Sequence, residues 1–106
     1  MAGLSELISL VNFIMKSDQA LLRDIGVLIR VLRKEKGMSG VDLGVALGIS
    51  QQQVSRYENA KSEISITTIF NIFSVFSMTP SEFFIRLYEG NNSENESVDR
   101  YSSVHW

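Results

Sequence analysis

One short stretch near the middle of the chain carries side chains that can each form several hydrogen bonds. It reads "GISQQQVSRYENAK" and covers residues 48–61. If it is helical, with about 100° between successive residues, five polar side chains share an arc of about 140°. These side chains are Gln51, Gln52, Ser55, Arg56 and Asn59. None is a carboxylate, and glutamine can bind adenine bidentately while arginine can bind guanine. From these residues alone, a merely solvated face is an equal alternative, because glutamine is a good helix former.

The opposite side of the same helix is apolar. Val54 and Tyr57 lie there and are expected to face a core. Ser50 is suited to the N-cap, and Gln53 follows three positions later, as in a capping box. The pattern therefore predicts that Gln53 helps to start the helix and that its neighbouring glutamines face outward.

A second short helix precedes the polar one. Ser39 and Asp42 have the spacing of a capping box, and Gly48 supplies a helix end. Only "GIS" then separates this helix from the next, which is predicted over residues 50–59. Two short helices joined by a tight turn make a helix-turn-helix, in which the amino end of the second helix enters the major groove.

Apolar residues at spacings of three and four predict the remaining helices, and no convincing period of two predicts a strand. The predicted helices lie over residues 4–16, from Leu22 to Gly37, from Ser65 or Thr67 with the stripe Ile66, Ile69, Phe70, Phe73 and Phe76, and from Pro80 after a Thr79 cap. The fold is therefore predicted to be all-α.

Composition argues against several kinds of chemistry. The 106-residue chain has no cysteine, and its one histidine, His105, lies in a polar stretch. Neither a metal site nor a catalytic centre is expected, and no cofactor or small-molecule ligand. The apolar N-terminal run lacks the basic flank of a signal peptide and is too short to cross a bilayer. A cytoplasmic protein that is not an enzyme is the expectation.

The charge is unevenly distributed along the chain. The net charge is −2, but residues 20–88 carry eight Lys and Arg against six Asp and Glu. The strongly basic balance typical of DNA-binding domains is absent. Any DNA binding must therefore depend on where individual charges are placed.

Four segments, taken in order and spacing, resemble the Cro/C1-type helix-turn-helix family, also called the XRE family of transcriptional regulators. They are "IGVLIRVLRKEKGMS", "DLGVALGIS", "QQQVSRYENAK" and "ITTIFNIFSVFSMTPSEFF", within Ile25 to Phe84. The resemblance implies a five-helix, lambda-repressor-like DNA-binding domain. It also implies a homodimer acting on partly palindromic double-stranded DNA.

The resemblance and the polar arc together give individual residues expected roles. The residues expected to face bases are Gln51, Gln52, Ser55 and Arg56. The residues expected to contact phosphate are Ser39, Asn59 and Lys61. Arg33 and Glu58 match a family pair that is structural. Two positions depart from the family: Gly40 replaces a frequent glutamine, and Gly44 replaces a usual alanine, which should weaken its helix by about 1 kcal/mol.

Segments on either side of the resemblance complete the predicted organisation. Residues 1–19 form an amphipathic helix that packs on its own domain or dimerises, residues 20–88 form the DNA-binding domain, and residues 89–106 form a polar, disordered tail. More narrowly, "SQQQVSRYE" resembles regulators of bacterial fimbrial operons, which act on fimbrial and flagellar genes. The alternative is an antitoxin-like module that binds another protein and also regulates its own operon.

Overall fold

The computed structural model describes residues 3–14 and 18–92. Within these ranges the chain forms six α-helices and no strand, so the all-α prediction is confirmed. The helices are α1 (Leu4–Ile14), α2 (Asp18–Glu35), α3 (Gly40–Leu47), α4 (Gln51–Glu58), α5 (Ile66–Val75) and α6 (Pro80–Asn92). The first is the extra N-terminal helix, and the other five make up the domain expected from the family resemblance.

Local hydrogen bonds define where α3 and α6 begin. The Ser39 hydroxyl accepts from the Asp42 N–H at 3.0 Å, and the Asp42 carboxylate accepts from the Ser39 N–H at 2.9 Å. Thr79 and Glu82 make the same reciprocal pair at 3.1 and 3.0 Å. Both capping boxes satisfy backbone donors that the first helical turn leaves unpaired. Such short-range chemistry is why these two boundaries agree with the sequence.

The core lies between α2, α3, α4, α5 and α6. Its buried apolar residues are Leu28, Ile29, Leu32, Leu43, Val54, Ile72, Phe73, Phe76, Phe83 and Leu87. The apolar stripe predicted for α5 was wrong at Ile66 and Phe70, which are exposed, and it omitted the fully buried Ile72. The buried face of α5 is therefore rotated about the helix axis relative to the predicted face, so that it includes Ile72 and excludes Ile66 and Phe70.

Two boundaries differ from those predicted. Helix α2 begins at Asp18, ahead of the predicted domain start at residue 20, and α6 continues to Asn92, beyond the predicted start of the tail at residue 89. The remainder of that tail, including His105, lies outside the described residues. None of the described helices is long and apolar enough to span a membrane.

Helix α1 contacts the rest of the chain through α6. The Tyr88 hydroxyl donates to the Glu6 carbonyl at 3.5 Å. Five apolar side chains of α1 are nevertheless exposed and are not among the buried core residues. The exposed apolar residues of α1 are Leu4, Leu7, Ile8, Leu10 and Val11.

Candidate nucleic-acid interface

The amino end of α4 presents two glutamines to solvent. Gln51 and Gln52 are exposed, and neither side-chain amide is hydrogen-bonded to any residue in 3–14 or 18–92. On the other side of the helix Val54 is buried and Tyr57 is partly buried. The helix is thus anchored on its apolar side, and its two leading amides are available to an external ligand.

The same end of α4 is electrostatically suited to an anionic surface. The Ser50 hydroxyl accepts from the Gln53 N–H at 3.0 Å, and the first turn contains no acidic residue. The amino end of a helix carries partial positive charge from its unpaired N–H groups. No carboxylate opposes that charge within the first turn.

Gln53 does not complete the capping box that its spacing suggested. Its side-chain Nε2 donates instead to the Ser62 hydroxyl at 2.9 Å, in a partly buried position. The bond ties the start of α4 to the loop that follows its end. Gln53 is therefore occupied by a structural contact, in contrast to the two exposed glutamines before it.

At the other end of α4, the polar residues are engaged with one another. Arg56 donates through Nη2 to the Lys61 carbonyl at 2.7 Å, and the Lys61 N–H donates to the Arg56 carbonyl at 2.8 Å. The Asn59 amide donates to the Ser55 carbonyl at 2.9 Å and to its hydroxyl at 3.3 Å. Four of the predicted contact residues are therefore joined in two pairs, Arg56 with Lys61 and Ser55 with Asn59, where α4 meets the following loop.

Ser39 lies at the amino end of α3, where its hydroxyl accepts the Asp42 N–H in the capping box. The Ser39 N–H, followed by its side chain, lowers the pKa of the Asp42 carboxyl. This exposed carboxylate therefore stays ionised beside Ser39. A phosphate contact at Ser39 would have to tolerate that neighbouring negative charge.

Arg33 and Glu58 form the pair that the resemblance implied, and a third residue joins them. Arg33 donates to the two Glu58 oxygens at 2.8 and 3.0 Å, and also to the Met38 carbonyl at 3.0 Å. Arg30 donates to Glu58 at 3.2 Å and was not predicted. The contact could have been expected from sequence, because Arg30 lies three residues before Arg33 and therefore on the same side of α2.

Gly44 lies where the chain after α3 turns back onto the helix. The Ile49 N–H donates to the Gly44 carbonyl at 2.9 Å, and a Cβ at Gly44 would lie only 2.7 Å from the Ile49 carbonyl oxygen. Glycine thus allows the tight turn that ends with Gly48 at φ 71°. The expected weakening of α3 by glycine considers helix propensity alone, whereas an alanine side chain here would also have to displace the Ile49 carbonyl.

The described part of the chain contains no group of three or more His, Asp or Glu residues that could hold a metal ion. The site therefore consists of amides, hydroxyls and cations arranged on and beside one short helix. That helix is the second of a helix-turn-helix whose linker ends at its N-cap, Ser50. This arrangement is shared by a large class of DNA-binding domains.

Comparison with known families agrees with that class. A helix-turn-helix family model matches residues 29–83, slightly more than half of the chain. The chain belongs to the Cro/C1-type helix-turn-helix family.

Individual relatives lead to the same family. Uncharacterized HTH-type transcriptional regulators of Sinorhizobium medicae and Rhizobium meliloti are each 35% identical over 60 residues, 57% of this chain and 43% of their own length. One from Sinorhizobium fredii is 29% identical over 80 residues, 76% of this chain and 56% of its own. The chain thus spans about half the length of the curated relatives it matches.

A solved structure shares the fold. The restriction-modification controller protein C.Esp1396I superposes with a TM-score of 0.62 at 24% identity, over 70% of this chain and 94% of that one.

Proposed function

We propose that this protein is a sequence-specific DNA-binding transcriptional regulator that inserts α4 into the major groove. The observation that carries the proposal is the pair of free, exposed amides of Gln51 and Gln52 at the amino end of a helix anchored by Val54. Glutamine amides can pair with the N6 and N7 atoms of adenine. Family membership supports the same function.

Ser55 and Arg56 extend the proposed reading face toward the carboxyl end of α4. The Arg56 guanidinium uses one N–H for the Lys61 carbonyl, and its remaining donors are available in chemical type for guanine O6 and N7. Ser55 is partly buried and bonded to Asn59, so it contributes through its hydroxyl at the edge of the face. The two glutamines are therefore expected to carry most of the discrimination between sequences.

Asn59 and Lys61, together with Ser39, are proposed to contact phosphates on either side of the groove. The two loop residues are exposed and are fixed beside α4 by backbone hydrogen bonds. Phosphate contacts set the register of a protein on DNA without specifying sequence. Loss of Lys61 should therefore weaken binding to every duplex to a similar extent.

The test is a set of alanine variants measured on a cognate site selected from random DNA. Gln51→Ala and Gln52→Ala should each cost about 1–3 kcal/mol on that site and relax preference at one position. Gln53→Ala is the matched control, since it removes the same side chain from the same helix but from a partly buried contact with Ser62. Lys61→Ala should weaken cognate and unrelated DNA alike. Unchanged cognate binding by both of the first two variants would refute the proposed reading face.

We also propose that the protein acts as a dimer, with α1 contributing to the two-fold interface. One reading head touches few base pairs, whereas a dimer places two of them about 34 Å apart on DNA. Ile8 and Val11 are 52% and 56% exposed although they are large and apolar. Such a surface is typical of an interface between proteins.

Point variants test this interface better than a deletion of residues 1–19, because α2 already begins at Asp18. Ile8→Asn combined with Val11→Asn should convert the dimer to a monomer in sedimentation equilibrium. Val45→Asn is the control, since Val45 is an exposed apolar residue on α3. A dimer that persists in the double variant would place the interface elsewhere. Phe84 is then the next residue to replace, since it is half-exposed whereas Phe83 is buried.

The proposed targets are promoters of fimbrial and flagellar genes. The support is the resemblance of "SQQQVSRYE", which includes the whole exposed start of α4. The DNA selected from a random pool should then match such promoters and show two-fold symmetry. A selected site without a counterpart there would remove this assignment and leave DNA binding itself intact.

An antitoxin-like module is the second candidate, and the exposed apolar surface of α1 is the observation that favours it. In that case α1 would bind a different protein rather than a second copy. Copurification of the full chain with a stoichiometric small protein, lost in the Ile8 and Val11 double variant, is the expected result. Purification as a self-associated dimer alone would exclude it.

A further inference from the structure

Three regularly spaced residues on one side of α2 contact the carboxyl end of α4. Gly26, Arg30 and Arg33 are spaced by four and three positions and therefore share one side of the helix. Two of them bond to the Glu58 carboxylate, and the first meets the backbone of the same turn. The last turn of α4 is thus held by side-chain and backbone contacts from one neighbouring helix.

Gly26 allows α2 and α4 to approach more closely than any other residue would permit. A Cβ at this position would lie 2.6 Å from the Tyr57 carbonyl oxygen and 2.7 Å from that of Glu58. Both are backbone atoms at the end of a helix, so neither can rotate away as a side chain can. Any larger residue must therefore push the two helices apart or change their crossing angle.

Arg30 limits the orientation of the same turn. Glu58 accepts from Arg30 through one carboxylate oxygen and from Arg33 through both, and its side chain is 0% exposed. Two guanidinium groups that approach from different positions along α2 restrain the carboxylate more strongly than one pair does. Gln19, seven residues before Gly26, adds a bond from its Nε2 to the Ala60 carbonyl at 3.3 Å. The α2 contacts thus extend from the end of α4 to the following loop.

We infer that Gly26 and Arg30 are positioning residues for the proposed DNA-reading face: together they set the depth and tilt at which α4 leaves the domain. The inference rests on the proposed function. Helix α4 has eight residues and is therefore about 12 Å long. A shift of roughly half an ångström at its carboxyl end displaces the Gln51 and Gln52 side chains at its amino end relative to the DNA. Hydrogen bonds to base edges tolerate little displacement of this kind.

The experiment compares Gly26→Ala with Gly90→Ala in the full-length protein. Both variants add one methyl group to a helix, but a Cβ at Gly90 meets nothing within 4 Å. Each is titrated with the selected cognate duplex and with an unrelated duplex of equal length, below its own melting temperature. Gly26→Ala should lose at least tenfold in cognate affinity and less than twofold on unrelated DNA. Gly90→Ala should match the wild type on both.

Arg30→Met provides a second variant in case Gly26→Ala folds poorly. The Arg30 side chain is only 15% exposed, and methionine removes its charge and donors while filling much of the same space. It should lower the ratio of cognate to unrelated affinity at least threefold, and Arg30→Lys should recover part of that loss. Ile72→Val controls for stability alone, since Ile72 is a core residue of α5 and is not part of the α2 contacts that hold the end of α4, so it should leave the ratio unchanged. A ratio within twofold of wild type in both Gly26→Ala and Arg30→Met overturns the inference.

A readout without DNA separates this inference from the proposed function. In the free protein, hydrogen exchange of the amides from Val54 to Asn59 should be faster in Gly26→Ala and Arg30→Met than in Gly90→Ala. Unchanged exchange in both variants refutes the positioning role, whatever the DNA result. A wild-type protein that does not distinguish cognate from unrelated DNA refutes the proposed function instead.

Discussion

Replacement of Arg33 by methionine should destabilise the fold strongly, because it breaks a buried ion pair and leaves the carboxylate behind. Arg33 is buried, and the Glu58 side chain is completely buried. Removal of one partner of such a pair costs roughly 3–5 kcal/mol. Arg30 remains 3.2 Å from Glu58, so the expected loss lies at the lower end, about 3 kcal/mol. A domain of this size has a total stability of roughly 5–15 kcal/mol, so the loss is a large fraction of it.

The assay is urea unfolding followed by circular dichroism, arranged as a double-mutant cycle. Glu58→Leu alone leaves two arginines without their carboxylate and should cost a similar amount. The double variant removes both partners of this pair and should cost only about 2 kcal/mol, because the Met38 carbonyl loses its donor and Arg30 loses its contact with the carboxylate. The coupling energy between the two positions should therefore exceed about 2 kcal/mol. Additive losses, with a coupling below about 0.5 kcal/mol, would refute the reasoning.

Three further outcomes follow from local geometry. Gly44→Ala should lower the free energy of unfolding by about 1–2 kcal/mol, since the clash with the Ile49 carbonyl outweighs the gain in helix propensity; a higher melting temperature would contradict this. Ala60→Gly should raise the free energy of unfolding by about 0.5–1 kcal/mol, because Ala60 has a φ of 55°, which is costly for any residue with a Cβ. An unchanged urea midpoint would contradict this prediction. The capping N–H groups and hydroxyls lower the pKa of Asp42 and of Glu82 from their ordinary values of 3.8 and 4.5, so the stability that these two carboxylates contribute is present above those values and is lost as the pH falls through the lowered ones. Asp42→Asn with Glu82→Gln should flatten that fall, and an identical acid midpoint would exclude the mechanism.

The helix boundaries were the part of the fold most open to prediction from sequence. Ser39, Ser50 and Thr79 each cap a helix through a hydrogen bond to the third residue after it. A contact of that kind depends on the local chain alone, so residue type and spacing predict it. Gly48 is similar, because only a left-handed conformation closes the turn after α3.

Features that depend on the approach of distant segments were missed. Arg30 joins Glu58 across 28 positions, and Gly26 meets the same turn of α4 through its backbone. Gln53 was assigned to a capping box by its spacing, yet it bonds to Ser62, nine positions away. Phe70 has the spacing of a core residue and is exposed. Each of these features depends on how closely separate segments approach one another, and the periodicity of residues along one helix does not predict that distance.

The burial of Glu58 also explains how a domain with little net positive charge can present α4 to DNA. Glu58 is the only acidic residue of α4, and an exposed carboxylate there would be repelled by phosphates. Arg30 and Arg33 neutralise it inside the protein, and these are two of the eight cations in residues 20–88. Fewer cations then remain for the phosphates, so long-range attraction contributes less to affinity. If Gln51 and Gln52 read bases as proposed, their hydrogen bonds should carry a correspondingly larger share of binding, and the tilt of α4 should matter more than in a strongly basic domain.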